Sequence, residues 1–137
     1  QNFNDKKIIK INKYVNFFGE NKLVNILLDT DIKKNFDFLS IDIDGCDYYI
    51  FQSLELYRPK IVCIEFNHLI PNSVNFVQEK NFQIKQGSSA RSLVGLANSK
   101  NYQLVATSFS NLFFIDKFYS HTVIDSEIFI DDLIDDS

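Results

Sequence analysis

FDFLSIDIDGCDYYIFQSLELYRPKIVCIEFN, residues 36–67, decides the fold. Residues 36–44 are β-branched and aromatic on both alternating faces, which predicts a strand buried in a parallel sheet. Gly45 ends it. Asp47 is placed to cap a helix by accepting from free amides of the first turn. Ile50, Phe51, Leu54 and Tyr57 then fall on one helical stripe. Pro59 closes that helix, because the residue before a proline avoids helical angles. Residues 60–66, KIVCIEF, read as a second buried strand. Strand, helix and strand together take about 30 residues, the length of a right-handed βαβ crossover.

Working outward, residues 7–15 (KIIKINKYV) alternate enough for a short strand, with Ile9 and Ile11 on one side. Gly19 marks a turn, and Leu23, Ile26 and Leu27 predict a short helix over 21–28. Residues 67–87 have no clear period beyond a short extended piece at 82–84, and a patternless stretch of about 20 residues in a compact domain is often a functional loop. Ser88 or Ser89 opens the next helix, whose apolar side is Ala90, Leu93, Leu96 and Ala97. Asn101 can close it in the left-handed region. Residues 102–107 and 112–115 are two more strands, joined closely enough to form an antiparallel hairpin. The order is βαβαβαββ: an α/β sandwich with a mostly parallel sheet that ends in an antiparallel hairpin. Residues 1–120 form this domain, and 121–137, ending DDLIDDS, form an acidic, solvated tail.

With 137 residues the chain accommodates one domain. Its 45% hydrophobic and 23% charged content is that of a globular chain, so no disulfide or metal staple is needed. A net charge of −4 argues against a nucleic-acid partner. No apolar run reaches the roughly 18 residues of a membrane span. Cys46 and Cys63 fit no CxxC motif and read as reduced thiols, with an intracellular, cytoplasmic setting as the default. The chain contains no Met, so Gln1 is read as following a removed leader or a preceding segment.

Ligands of open α/β sheets bind outside the carboxyl ends of the parallel strands. Asp42 and Asp44 lie at the end of the first buried strand, two residues apart and hence on one face. Glu65 and Asn67 lie at the end of the second. If the strands are neighbours, three carboxylates and an amide meet at one edge, where like charges raise one another's pKa or demand a cation. An oxygen-rich set suits Mg²⁺ or Ca²⁺ better than zinc, with Asp44 and Glu65 as the metal ligands. His68 is a candidate general base, although a loop histidine is also ordinary polar surface. Asp47, Ser88 and Ser89 read first as caps, Tyr48 and Tyr49 as packing, and His121 as surface. No GxGxxG, P-loop, HExxH or GxSxG motif occurs.

Residues 36–67 resemble class I, S-adenosylmethionine-dependent methyltransferases of the FkbM type. The shared parts are the I-D-[IV]-[DE]-G turn at Asp42, Asp44 and Gly45, the following acid Asp47, the R-P pair Arg58–Pro59, and a strand ending E-[FY]-N at Glu65 and Asn67. Residues 87–116 resemble that family's closing helix and antiparallel hairpin. The similarity implies a Rossmann-like three-layer sandwich, of which this chain is the carboxyl-terminal portion. The first strands and the Gly-rich cofactor turn would precede Gln1. It further implies O-methyl transfer to a hydroxyl of a sugar or small molecule. Asp42 and Asp44 are carried over as catalytic residues at the reaction rim, Asp42 also flanking the cofactor, and Glu65 and Asn67 as substrate or ion contacts; an acid or His68 would take the proton. The isolated chain would then be inactive.

Two other readings stand beside it. Asp42-Ile43-Asp44-Gly45 matches the DxDG start of haloacid dehalogenase-like, Mg²⁺-dependent phosphatases, in which the first Asp is the nucleophile and the second the general acid. Those enzymes usually continue with Thr, where this chain has Cys46. The third reading is a non-enzymatic α/β interaction module.

Overall fold

The computed structural model describes residues 8–121 and 129–133. A four-stranded mixed sheet is built from β1 (Phe38–Ile41), β2 (Ile61–Glu65), β3 (Tyr102–Thr107) and β4 (Asn111–Asp116), in the spatial order β1-β2-β4-β3. Helices α1 (Leu23–Leu28), α2 (Asp47–Ser53) and α3 (Ala90–Ser99) precede or connect the strands, and short helices α4 (Lys117–Ser120) and α5 (Ile130–Leu133) follow. The result is a small α/β domain. None of the described helices is long and apolar enough to cross a membrane.

The βαβ unit forms where residues 36–67 place it. β1 and β2 pair in parallel, with Phe38 beside Ile61 and Ile41 beside Ile64, and α2 bridges them. Phe51 and Ile50 of α2, and Leu93 and Ala97 of α3, pack on the face carrying Val62, Ile64, Leu112 and Phe114. Tyr102 meets Phe51 edge-on, and Phe114 stacks on the same ring. The helix expected to run on to Pro59 is shorter: α2 ends at Ser53 and Leu56 sits at φ 65°, so Leu54 and Tyr57 join Val24 of α1 in a smaller cluster from the segment beyond the helix, not from its stripe.

The expectation of a mostly parallel sheet is corrected. Among the described residues only β1–β2 is a parallel pair of strands; β4 inserts antiparallel between β2 and β3. The hairpin was legible in the sequence, but its landing on β2 was not. Because β4 reverses direction twice over, β3 still runs the same way as β1 and β2. β1 is also no central strand: among the described residues it pairs with β2 alone, and Phe38 is 50% exposed on the face away from α2 and α3. The second helical layer expected there is therefore not seen at β1.

Residues 8–15 form no strand. Ile8, Ile9 and Ile11 are exposed, and the nearest pairing is a single bridge between Asn16 and Lys22. Alternation alone cannot make a strand without a partner edge. Residue 7 lies outside the described residues. The piece at 82–84 is likewise a loop. Within the expected solvated tail, Ile130 is buried against the core, whereas His121, Phe129 and Asp131 are exposed, Asp131 pairing with Arg91 at 3.2 Å.

The end of the sheet opposite the acidic residues is stapled by Arg58. Its Nε donates to Asp116 at 2.9 Å, a second nitrogen donates to the Lys100 carbonyl, and the guanidinium covers the Tyr102 ring at 4.7 Å. The Tyr102 hydroxyl donates to the Pro59 carbonyl. The R-P pair thus fastens the start of β2 to β3 and β4. Lys100 caps the end of α2 by donating to the Leu54 carbonyl, a favourable place for a cation. Asn101 closes α3 at φ 64°, as its residue type predicts.

Candidate functional site

Parallel pairing brings the carboxyl ends of β1 and β2 to one edge. The last paired residues are Ile41 and Ile64, so the next step along each chain sets Asp42 beside Glu65. The chain then turns sharply, with Asp44 at φ 57° and Gly45 at φ 141°. An aspartate tolerates the left-handed region better than most side chains. The turn returns Asp44 to the edge, and carboxylate oxygens of Asp42, Asp44 and Glu65 lie within 4.8 Å of one another. The acids meet as expected, but by another route. The strand stops at Ile41, and a left-handed turn, not strand alternation, aligns Asp44 with Asp42.

Asp42 and Asp44 are exposed, whereas Glu65 is half-buried. Burial, followed by the charges of Asp42, Asp47 and Asp44, pushes the Glu65 carboxyl above its ordinary value. Asp47 is almost fully buried, and that burial raises its pKa despite the backbone N–H groups that donate to it. It does not cap α2 as expected. Cys46 holds the capping position, and Asp47 is the first helical residue. Its Oδ1 accepts from the Ile43 amide and its Oδ2 from the Gly45 amide, so it braces the turn that carries Asp44.

A cleft of about 500 Å³ opens at this edge. Asp44, Asp47 and Glu65 supply its acids, Asn67 and His68 its far side, and Lys85 its single cation. Asn67 is committed to structure: its amide nitrogen donates to the Gln86 carbonyl, and its side-chain oxygen accepts from the Leu69 amide. His68 lines the cleft but is not in the acid cluster; its ring rests on Phe109 with centroids 4.1 Å apart.

The loop over 67–87 forms the wall of this cleft, and its anchor, Gln78, has no signal in the sequence pattern. Gln78 is fully buried. Its side-chain oxygen accepts from the Gln86 and Gly87 amides, and its nitrogen donates to the Ile84 carbonyl. Its own amide donates to the Ser88 hydroxyl, while the Ser89 hydroxyl caps α3 and accepts from the Phe76 amide. The Tyr49 hydroxyl donates to the Gln78 carbonyl, tying the loop to α2. Gly45 is where the two segments touch. A Cβ there would stand 2.5 Å from the Ile84 carbonyl and 2.9 Å from the Gln78 side-chain oxygen. The glycine of the acidic turn therefore admits the chain's own loop.

Both cysteines are free and buried. Burial raises the Cys63 thiol, beside Ser40, above its ordinary value.

No protein-family model, no curated protein and no solved structure matches this chain.

Proposed function

We propose that this chain forms the acceptor side of an S-adenosylmethionine-dependent O-methyltransferase acting on a hydroxyl of a small molecule or sugar, within a Rossmann-like domain. The observation that carries this reading is the meeting of Asp42, Asp44 and Glu65 at the shared end of two adjacent parallel strands, beside a cleft large enough for a small ligand. The helix and antiparallel hairpin that follow stand in the order the family resemblance calls for.

S-adenosylmethionine would supply the methyl group. The residues present do not fit its cradle: the sequence has no Gly-rich turn after a strand, and the close approach at Gly45 is taken by Ile84 and Gln78. The reading thus requires a donor-binding segment in addition to these 137 residues, with Asp42 flanking it. Glu65, whose carboxyl is raised in pKa, suits the acceptance of a proton from the acceptor hydroxyl, and His68 on the far side of the cleft is the alternative acceptor. Holding that hydroxyl in line is the main contribution of such a site, worth up to about 7–11 kcal/mol in favourable cases.

The acid cluster also fits a divalent cation. Oxygens within 4.8 Å of one another can share an ion whose bonds to oxygen are about 2.1–2.5 Å long. Asp44 and Glu65 are the ligands assigned to Mg²⁺.

The test is calorimetry of the full-length gene product with S-adenosylhomocysteine. Binding that Asp42→Asn weakens, together with methyl transfer lost in Glu65→Gln, supports the reading. An absence of binding overturns it. Magnesium-dependent release of phosphate from an aryl phosphate, abolished by Asp42→Asn, would establish the phosphatase alternative instead.

A further inference from the structure

A second cavity, of about 610 Å³, shares Lys85 with the acid-lined cleft. Its chemistry is opposite. Tyr14, Val15, Ile43 and Phe82 give it apolar walls, Lys13 and Lys85 are its charged groups, and among the described residues no carboxylate lines it. The chain carries a net charge of −4, so this paired positive character is local.

The wall is braced from behind. Phe82 stacks on Phe17 with centroids 5.3 Å apart and planes 19° apart, Phe17 leans on Tyr49, and Lys80 sits over both of those rings. Of the two lining cations, Lys13 lies 3.7 Å from Asp29. Lys85 makes no ion pair with any described residue, although the acidic edge is close by. A flat apolar wall beside an unpaired cation selects for a flat ligand of opposite charge.

We propose that this cavity binds a small aromatic anion, whose ring lies against Phe82 and Ile43 and whose carboxylate is held by Lys85. This inference concerns a separate cavity and does not depend on methyl transfer.

The test is an amide NMR titration of the 137-residue chain with 1-naphthoate and, in parallel, with the neutral 1-naphthalenemethanol. The expected result is shifts confined to residues 13–16, 43 and 82–85. The alcohol should bind about threefold to fivefold more weakly, the scale of an exposed ion pair. Lys85→Ala, an exposed substitution, should reduce naphthoate affinity by the same factor and leave that of the alcohol unchanged. Equal affinity for the two probes, no loss in Lys85→Ala, shifts centred on the acid-lined cleft, or no binding would each overturn the proposal.

Discussion

Asp42 and Glu65 sit side by side one step beyond the last paired residues of the parallel strands, with carboxylate oxygens within 4.8 Å of each other. Burial and three neighbouring acids make that position favour the protonated form of Glu65. A group whose folded pKa is raised stabilises the fold below its unfolded value and loses that contribution as pH rises through the folded value. Wild-type stability should therefore fall as pH rises from about 4.5, the ordinary glutamate value, toward neutrality. Glu65→Gln should flatten that fall and be the more stable protein at neutral pH, by roughly 0.5 kcal/mol, the scale of like charges set opposite one another. Urea unfolding at both pH values measures it. An unchanged pH profile in the variant would place the repulsion elsewhere.

The same repulsion should be relieved by a divalent cation. At neutral pH and at roughly ten times the dissociation constant, Mg²⁺ or Ca²⁺ should stabilise the fold by about 1.4 kcal/mol. At acid pH, where the carboxyls are protonated, the effect should vanish. Asp44→Asn and Glu65→Gln should each abolish it. Thermal unfolding with and without the ion reads this out, and a midpoint insensitive to either ion removes the metal from the site.

At the other end of the sheet the sign reverses. Asp116 is buried, which alone would raise its pKa, but the Arg58 guanidinium and the Phe118 amide outweigh burial and hold it below the ordinary value. That contribution is present above about pH 3.8 and is lost as pH falls further. Arg58→Met should cost about 2 kcal/mol near neutrality, because it leaves a buried carboxylate without its partner. The loss should shrink in acid. A destabilisation of equal size at every pH would show that packing on Tyr102 matters more than charge.

Gly45→Ala should destabilise by about 1–3 kcal/mol, since the new methyl group meets a backbone carbonyl and the backbone there is at a positive φ. Adding Gln78→Ala should not rescue it, because Ile84 remains in place. Gln78→Ala alone should loosen the loop by unpairing the Gln86 and Gly87 amides. Trypsin cleavage at Lys80 and Lys85, measured before any global unfolding, should then accelerate. Unchanged cleavage would mean that Ser88, Ser89 and Tyr49 hold the loop without Gln78.

Many local elements were legible in the amino-acid order because their causes are local. Pro59 before a β-branched run, Ile50 and Phe51 on the buried side of α2, Ser89 ahead of α3 and Asn101 behind it are interactions over a few residues. The run of the apolar stripe on to Tyr57 was not borne out, because α2 stops at Ser53. The meeting of Asp42 and Glu65 was also legible, since a short βαβ link leaves little choice but adjacent parallel strands. Other features depended on contacts between segments far apart in the chain. The landing of β4 on β2, the failure of residues 8–15 to find an edge, and the buried hub at Gln78 depend on which surfaces remain free once the core of Phe51, Phe114 and Leu93 has closed. Asp47 shows the boundary between the two. Its residue type promised a partner among nearby amides, but only the fold of the turn decided that Ile43 and Gly45 would be those partners.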